Sequence, residues 1–140
     1  MKKQKHEAGV GFLLSKRARE ALLNYKPVSD RVMVARFQAR PFNMSVVQVY
    51  APTSDGTDEQ VEQFYADLET TLDDIPKKNI VIIASDWNAN VGSDNNGWER
   101  VMGKFGYGDK NDRGKRLLKF ALEHDMMICN TKFQQKDCRK

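Results

Sequence analysis

The stretch Asn79-Ile80-Val81-Ile82-Ile83-Ala84-Ser85-Asp86-Trp87-Asn88-Ala89-Asn90-Val91-Gly92 decides how this chain is read. A run of β-branched residues without polar alternation predicts a strand covered on both faces, and open α/β sheets place their chemistry at the carboxyl ends of such strands. Asp86 and Asn88 fall at that end. With side chains alternating along an extended strand, both polar side chains project to one side while Trp87 points away to pack. A carboxylate beside a carboxamide can hold a divalent metal, a water or a phosphate oxygen. The same Asp-x-Asn pattern is also ordinary turn chemistry, in which the side chains cap their own backbone.

A second strand shifts the balance toward a site. Met44-Ser45-Val46-Val47-Gln48-Val49-Tyr50-Ala51-Pro52-Thr53 is hydrophobic and runs out through Tyr-Ala-Pro-Thr into Ser54-Asp55-Gly56-Thr57. From Thr57, with Gln60 as a capping-box partner, Val61, Phe64, Tyr65, Leu68 and Leu72 recur on one face of a helix. That helix should stop near Asp73-Asp74-Ile75-Pro76, because proline disfavours helix in the residue before it. Upstream, residues 31–38 read as a strand joined to 44–50 by the turn-rich Ala39-Arg40-Pro41-Phe42-Asn43, an antiparallel hairpin. Residues 9–14 also read as a strand. Residues 93–109, rich in Gly, Asn and Asp, read as a long loop, which in a compact domain is functional or mobile. A helix over 112–124 should bury Leu117, Leu118, Ala121 and Leu122, and residues 126–130 read as a final strand. No repeat or low-complexity segment interrupts this order.

Composition bounds the class. The chain has 140 residues, 40% hydrophobic and 30% charged, which suits one soluble globular domain with a buried core. No apolar run reaches membrane-spanning length, and the basic start Met1-Lys2-Lys3-Gln4-Lys5-His6-Glu7 lacks the apolar core of a signal peptide, so secretion is not expected. Residues 1–8 are expected to be a disordered arm and 134–140 a tail. Cys129 and Cys138 have no metal-ligand spacing and suit a reducing compartment as free thiols. His124 ends a helix, where a cation favours the dipole, so a structural role is expected.

The formal net charge of +4 favours a polyanionic partner. Basic residues gather at Lys2, Lys3, Lys5, at Lys16, Arg17, Arg19, and at Lys110, Arg113, Lys115, Arg116, Lys119. The first two groups read as solvated faces. In the third, Arg113 to Lys119 open a helix after a Gly-rich loop, where backbone N–H groups and positive side chains can meet a phosphate; a solvated face is the alternative.

The order strand-Tyr-x-Pro-Thr, helix, strand-x-Asp-x-Asn resembles the endonuclease/exonuclease/phosphatase superfamily. The nearest likeness is to the apurinic-type endonuclease domain of non-LTR retrotransposons and to the craniofacial development protein 2 group. Further residues carry the resemblance: Gly9-Val10-Gly11-Phe12-Leu13, Pro27-Val28-Ser29-Asp30-Arg31-Val32, Val101-Met102-Gly103-Lys104-Phe105-Gly106 and Asn111-Asp112-Arg113-Gly114-Lys115-Arg116-Leu117-Leu118. It spans nearly all of residues 9–133.

The resemblance implies an α/β fold, part of a DNase I-like four-layer α/β/β/α sandwich, with the site where loops of both sheets meet at one edge. It implies phosphodiester hydrolysis by a water with Mg²⁺ or Mn²⁺, which neutralises phosphate charge while a carboxylate orients the water. Asp86 then matches the water-orienting aspartate and Asn88 the asparagine binding phosphate or the metal's water shell, so both are candidate indirect metal contacts. Tyr50 matches the tyrosine whose hydroxyl contacts the scissile phosphate; packing at the strand end is its alternative. Thr53 falls where some members have an asparagine touching the nucleic-acid backbone, and Arg113 and Lys115 are further substrate-binding candidates. DNA is the implied partner, and the expected compartment is nuclear or cytosolic.

The family pattern also contains an upstream asparagine and metal-ligating glutamate, and a downstream Ser-Asp-His segment. Neither is matched here, since Glu7 lies too close to the Gly-Val-Gly-Phe run and His6 is at the wrong end. Ser85 stands where glycine is usual, and could crowd a metal site or point into the turn. Because such groups act as a unit, the isolated chain is expected to be inactive or nearly so. Lost strands would leave sheet edges that invite pairing with another chain. Three functions follow from the resemblance: a fragment of a metal-dependent endonuclease domain, a non-catalytic remnant that binds nucleic acid or protein, or a phosphatase of lipid or inositol phosphates, which the transposon-like motifs disfavour.

Overall fold

The structure is a computed structural model and describes residues 9–136. The expected arm at 1–8, the last residues of the expected tail, and Cys138 lie outside the described residues. The chain divides into two compact units, Met1–Trp87 and Asn88–Lys140.

The first unit carries α1 (Lys16–Ala21), β1 (Leu22–Pro27), β2 (Val32–Phe37), β3 (Met44–Tyr50), α2 (Asp58–Asp74) and β4 (Ile80–Asp86). The strands form one sheet in the order β1-β2-β3-β4. The first two pairings are antiparallel, and β4 lies parallel to β3, reached through α2. This α/β class and the β2–β3 hairpin are those expected from the sequence.

Register explains the core. Val32 lies opposite Val49 and Val34 opposite Val47, and all four are buried on one sheet face together with Ser45. Val61, Phe64, Tyr65 and Leu68 of α2 are buried in turn, and α2 packs on β2. Each fully buried Val or Leu is worth about 1.5–3 kcal/mol relative to exposure. The helix begins as expected: Thr57 Oγ1 accepts the Gln60 N–H at 3.2 Å and Gln60 Oε1 accepts the Thr57 N–H at 3.0 Å. It ends at Asp74, ahead of Pro76, and Leu72 is half-buried.

The first unit departs from expectation in two places. Strand β4 is not covered on both faces: Ile80 and Ile82 are 48% and 45% exposed, because β4 is a sheet edge whose alternate residues face away from α2. Residues 9–14 form no strand, since an extended run becomes one only where a neighbour supplies the ladder. Strand β1 instead occupies the edge beside β2. Its sequence Leu-Leu-Asn-Tyr-Lys-Pro hides it, because exposed edge strands carry polar residues and tolerate proline.

The second unit holds α3 (Asp112–Glu123) and a 3₁₀ turn at Cys129–Thr131. Val101, Met102, Leu118 and Ala121 form its core, with Val91, Trp98, Met126 and Ile128 packed against them. Residues 93–109 contain no helix or named strand, as expected of the loop. Helix α3 buries Leu117, Leu118, Phe120 and Ala121, but Leu122 is 40% exposed, having rotated past the core-facing arc. His124 packs on the Phe120 ring at 4.4 Å, which suits a structural role. The expected final strand is reduced to a single bridge, Met102 to Ile128. Thr131 ends it, donating its hydroxyl to the Ile128 carbonyl at 2.7 Å and accepting the Gly103 N–H at 2.8 Å. Cys129 is accordingly an exposed free thiol in a turn.

Two close backbone approaches hold this unit. Asn111 Oδ1 accepts the Gly114 N–H at 2.8 Å as the cap of α3 and the Asn90 N–H at 3.1 Å, while the Asn111 N–H donates to the Asn90 carbonyl at 3.0 Å. Any Cβ at Gly114 would collide with that Asn90 carbonyl oxygen. A Cβ at Gly106 would likewise strike the Gly92 carbonyl.

Candidate functional site

Parallel pairing builds the site of the first unit. Strands β3 and β4 run in register from Met44 beside Ile80 to Tyr50 beside Asp86, so both strands end level. Pairing continues one step further, with the Ala51 N–H donating to the Asp86 carbonyl at 3.2 Å. Partners in a parallel pair project to the same face, which places the Tyr50 phenol and the Asp86 carboxylate side by side on the face opposite α2. Asp86 is exposed and Tyr50 half-buried.

A third group joins this row from the residue just before β2. Arg31 lies across from Tyr50, its carbonyl accepting the Tyr50 N–H at 2.9 Å. One guanidinium N–H of Arg31 donates to the Tyr50 carbonyl at 3.2 Å, and its Cζ stands 5.5 Å from the centre of the phenol ring. Cation, phenol and carboxylate therefore line one sheet edge, with Arg31 and Asp86 two strand spacings apart, about 9–10 Å. Arg31 does not stand out as a site residue within the Pro-Val-Ser-Asp-Arg-Val segment, because only the β2–β3 register brings it to Tyr50.

Thr53 is exposed in the turn that follows β3, where its carbonyl accepts the Gly56 N–H at 2.9 Å. A Cβ on Gly56 would press on Pro52 and on the Thr53 carbonyl, so the tight turn fits glycine. Trp87 packs as expected, its ring 6.3 Å edge-on from Phe64. Ser85 pairs with Val49 and shares its face, away from Tyr50 and Asp86. It therefore does not crowd the row, and its buried Oγ has no hydrogen-bond partner.

The remaining candidates stand in the second unit. The strand stops at Asp86 and Asn88 adopts a left-handed backbone, φ 47°, so strand alternation does not extend to it. Asn88 is half-buried. Arg113 lies half-buried in the first turn of α3. Lys115 is exposed and pairs with Asp112 at 3.6 Å, one turn of the same helix. Lys110 Nζ lies 5.5 Å from the Trp98 ring, a further cation–aromatic contact beside the loop.

Asp86, Tyr50 and Thr53 offer hard oxygen donors, the kind Mg²⁺ and Mn²⁺ take. The row of Arg31, Tyr50 and Asp86 contains one carboxylate. An ion there would lean on Asp86, waters and a phosphate rather than on an all-protein cage, a mode common for Mg²⁺.

These residues define an α/β protein whose mixed sheet ends in a polar row at the carboxyl ends of two parallel strands. Over 127 residues, 91% of the chain, it is 41% identical to craniofacial development protein 2 of Bos taurus, and 39% identical over 127 residues to craniofacial development protein 2 of Tragulus javanicus. The chain is thus homologous to craniofacial development protein 2 across these residues, and it spans about a fifth of those relatives, 21% and 22% of their lengths. Among solved structures it is similar to the endonuclease domain of TRAS1, a telomere-specific non-LTR retrotransposon, with TM-score 0.45 and 19% identity over 73% of this chain and 41% of that one. No protein-family model matches the chain. Among the described residues no helix is long and apolar enough to cross a membrane.

Proposed function

We propose that this chain is part of a phosphodiesterase domain of the DNA endonuclease kind, descended from a retrotransposon, and that the row of Tyr50 and Asp86 faces the phosphate. The observation that carries this is the in-register pairing of Tyr50 with Asp86 at the ends of parallel strands. A phenol hydroxyl donates to a phosphate oxygen, and an exposed carboxylate beside it accepts from a water or its metal-bound equivalent. Mg²⁺ or Mn²⁺ bound at Asp86 would supply charge neutralisation on the phosphate. Asn88, Thr53, Arg113 and Lys115 are proposed as further contacts to phosphate or nucleic-acid backbone, and the positive net charge favours that partner. A nuclear or cytosolic site accords with such a substrate.

A second reading is binding without cleavage. The single carboxylate of the row favours it, because hydrolysis of this type relies on several groups acting together. The isolated chain is accordingly expected to bind DNA with little or no nicking.

The test uses supercoiled plasmid and an abasic duplex with Mg²⁺, Mn²⁺ or EDTA, comparing the chain with Asp86→Ala. The proposal expects binding that is stronger with metal than with EDTA, falls with salt, and loses its metal-dependent part in the variant. A folded chain whose DNA binding is identical with metal and with EDTA overturns it. Metal-dependent nicking that disappears in Asp86→Ala would decide for the catalytic form of the proposal over the binding form.

A further inference from the structure

Tyr50 is the last residue of β3, where the chain leaves the sheet through Ala51-Pro52. A phenol there has ladder bonds on its backbone but keeps the freedom to turn about its side-chain bonds unless a neighbour holds the ring. Arg31 is that neighbour. Its own carbonyl takes the Tyr50 N–H, its guanidinium returns a bond to the Tyr50 carbonyl, and its Cζ stands over the phenol ring, 5.5 Å from the ring centre. Backbone and side chain of Tyr50 are thus gripped by one residue.

We infer that Arg31 is a positioning residue that fixes the Tyr50 hydroxyl beside Asp86, acting on a bound phosphate through Tyr50. The role of the fixed hydroxyl rests on the function proposed above; the grip on the ring does not. Arginine suits the task because a planar guanidinium can stack on a ring while donating in its own plane. Lysine would keep the charge but lose the planar, multi-donor group.

A double-mutant cycle with a separate look at the ring tests this. Binding of an abasic duplex in Mg²⁺ is measured for the chain, Arg31→Ala, Arg31→Lys, Tyr50→Phe and the combination of Arg31→Ala with Tyr50→Phe. Ring carbon and proton signals of Tyr50 are recorded by NMR, assigned through Tyr50→Phe. The expectation is that Arg31→Ala weakens binding roughly fivefold and moves or broadens the Tyr50 ring signals, with Arg31→Lys recovering only part of either effect. In the Tyr50→Phe background, Arg31→Ala should change binding little, since its effect passes through the hydroxyl. An Arg31→Ala loss that persists at full size in that background would mean Arg31 meets the phosphate itself and would overturn the inference. Ring signals left unmoved by Arg31→Ala overturn it as well. A parent chain that binds no DNA refutes the proposed function, and the inference with respect to phosphate; the ring signals then report on the grip alone.

Discussion

Ser85 offers a test of how this sheet is built. It lies on β4 beside Val49, on the face covered by α2, and its hydroxyl is buried without a partner. A buried, unsatisfied polar group costs about 1–3 kcal/mol. Ser85→Ala removes the hydroxyl and keeps the Cβ that packs beside Val49, so it should stabilise the first unit by about 1–2 kcal/mol. For a chain of this length that corresponds to a rise in Tm of roughly 3–8 °C. Ser85→Gly removes the same hydroxyl but adds the penalty of glycine in a strand, about 0.5–1 kcal/mol, and so should keep only part of the gain. The chain has two tryptophans, one in each unit, so Trp87 can report on the first unit in a Trp98→Phe background. Urea and thermal melts followed by its fluorescence give both values. A clear loss of stability in Ser85→Ala would show that the hydroxyl is held by a hydrogen bond, and would refute the reasoning from an unsatisfied buried group.

Two further perturbations probe the second unit. Gly114→Ala forces a Cβ into the Asn90 carbonyl and should cost at least about 2 kcal/mol, from overpacking and a weakened Asn111 cap. A urea midpoint unchanged when followed by Trp98, with Trp87→Phe, would contradict the close approach. Glu99 accepts its own N–H and that of Gly97, the latter at 3.1 Å, which holds its carboxyl below the usual range. Because the folded chain favours the charged form, whatever Glu99 contributes is fully present above the unfolded pKa and disappears as pH falls through the lower folded value. Carbon NMR should give Glu99 a midpoint below that of an unstructured glutamate, with the Gly97 amide moving in step; an ordinary midpoint would exclude the bond.

The exposed ion pairs add little to stability. Lys26–Asp74 at 3.6 Å and Arg100–Asp125 at 3.2 Å both stand largely in water, where such pairs contribute at most about 1 kcal/mol. Stability comes instead from the valine face of β2 and β3 under α2, and from the packed loop and helix of the second unit.

Local chemistry was legible in the residues themselves. The Thr57–Gln60 box, the period of α2, the proline after it and the apolar runs of β3 and β4 each act within a few residues, so the sequence by itself determined these elements and their type. The Asp-Trp-Asn and Tyr-Ala-Pro-Thr segments likewise marked the carboxyl ends of two strands. Which residues then stand together was a matter for the tertiary structure. Only the parallel register sets Tyr50 beside Asp86, and only the hairpin register brings Arg31 under the Tyr50 ring, because partner choice in a sheet is made between segments far apart in sequence. The same reason explains the misjudged pieces: residues 9–14 found no ladder, polar Leu22–Pro27 did, and the left-handed turn at Asn88 ended an alternation that the sequence alone would have continued.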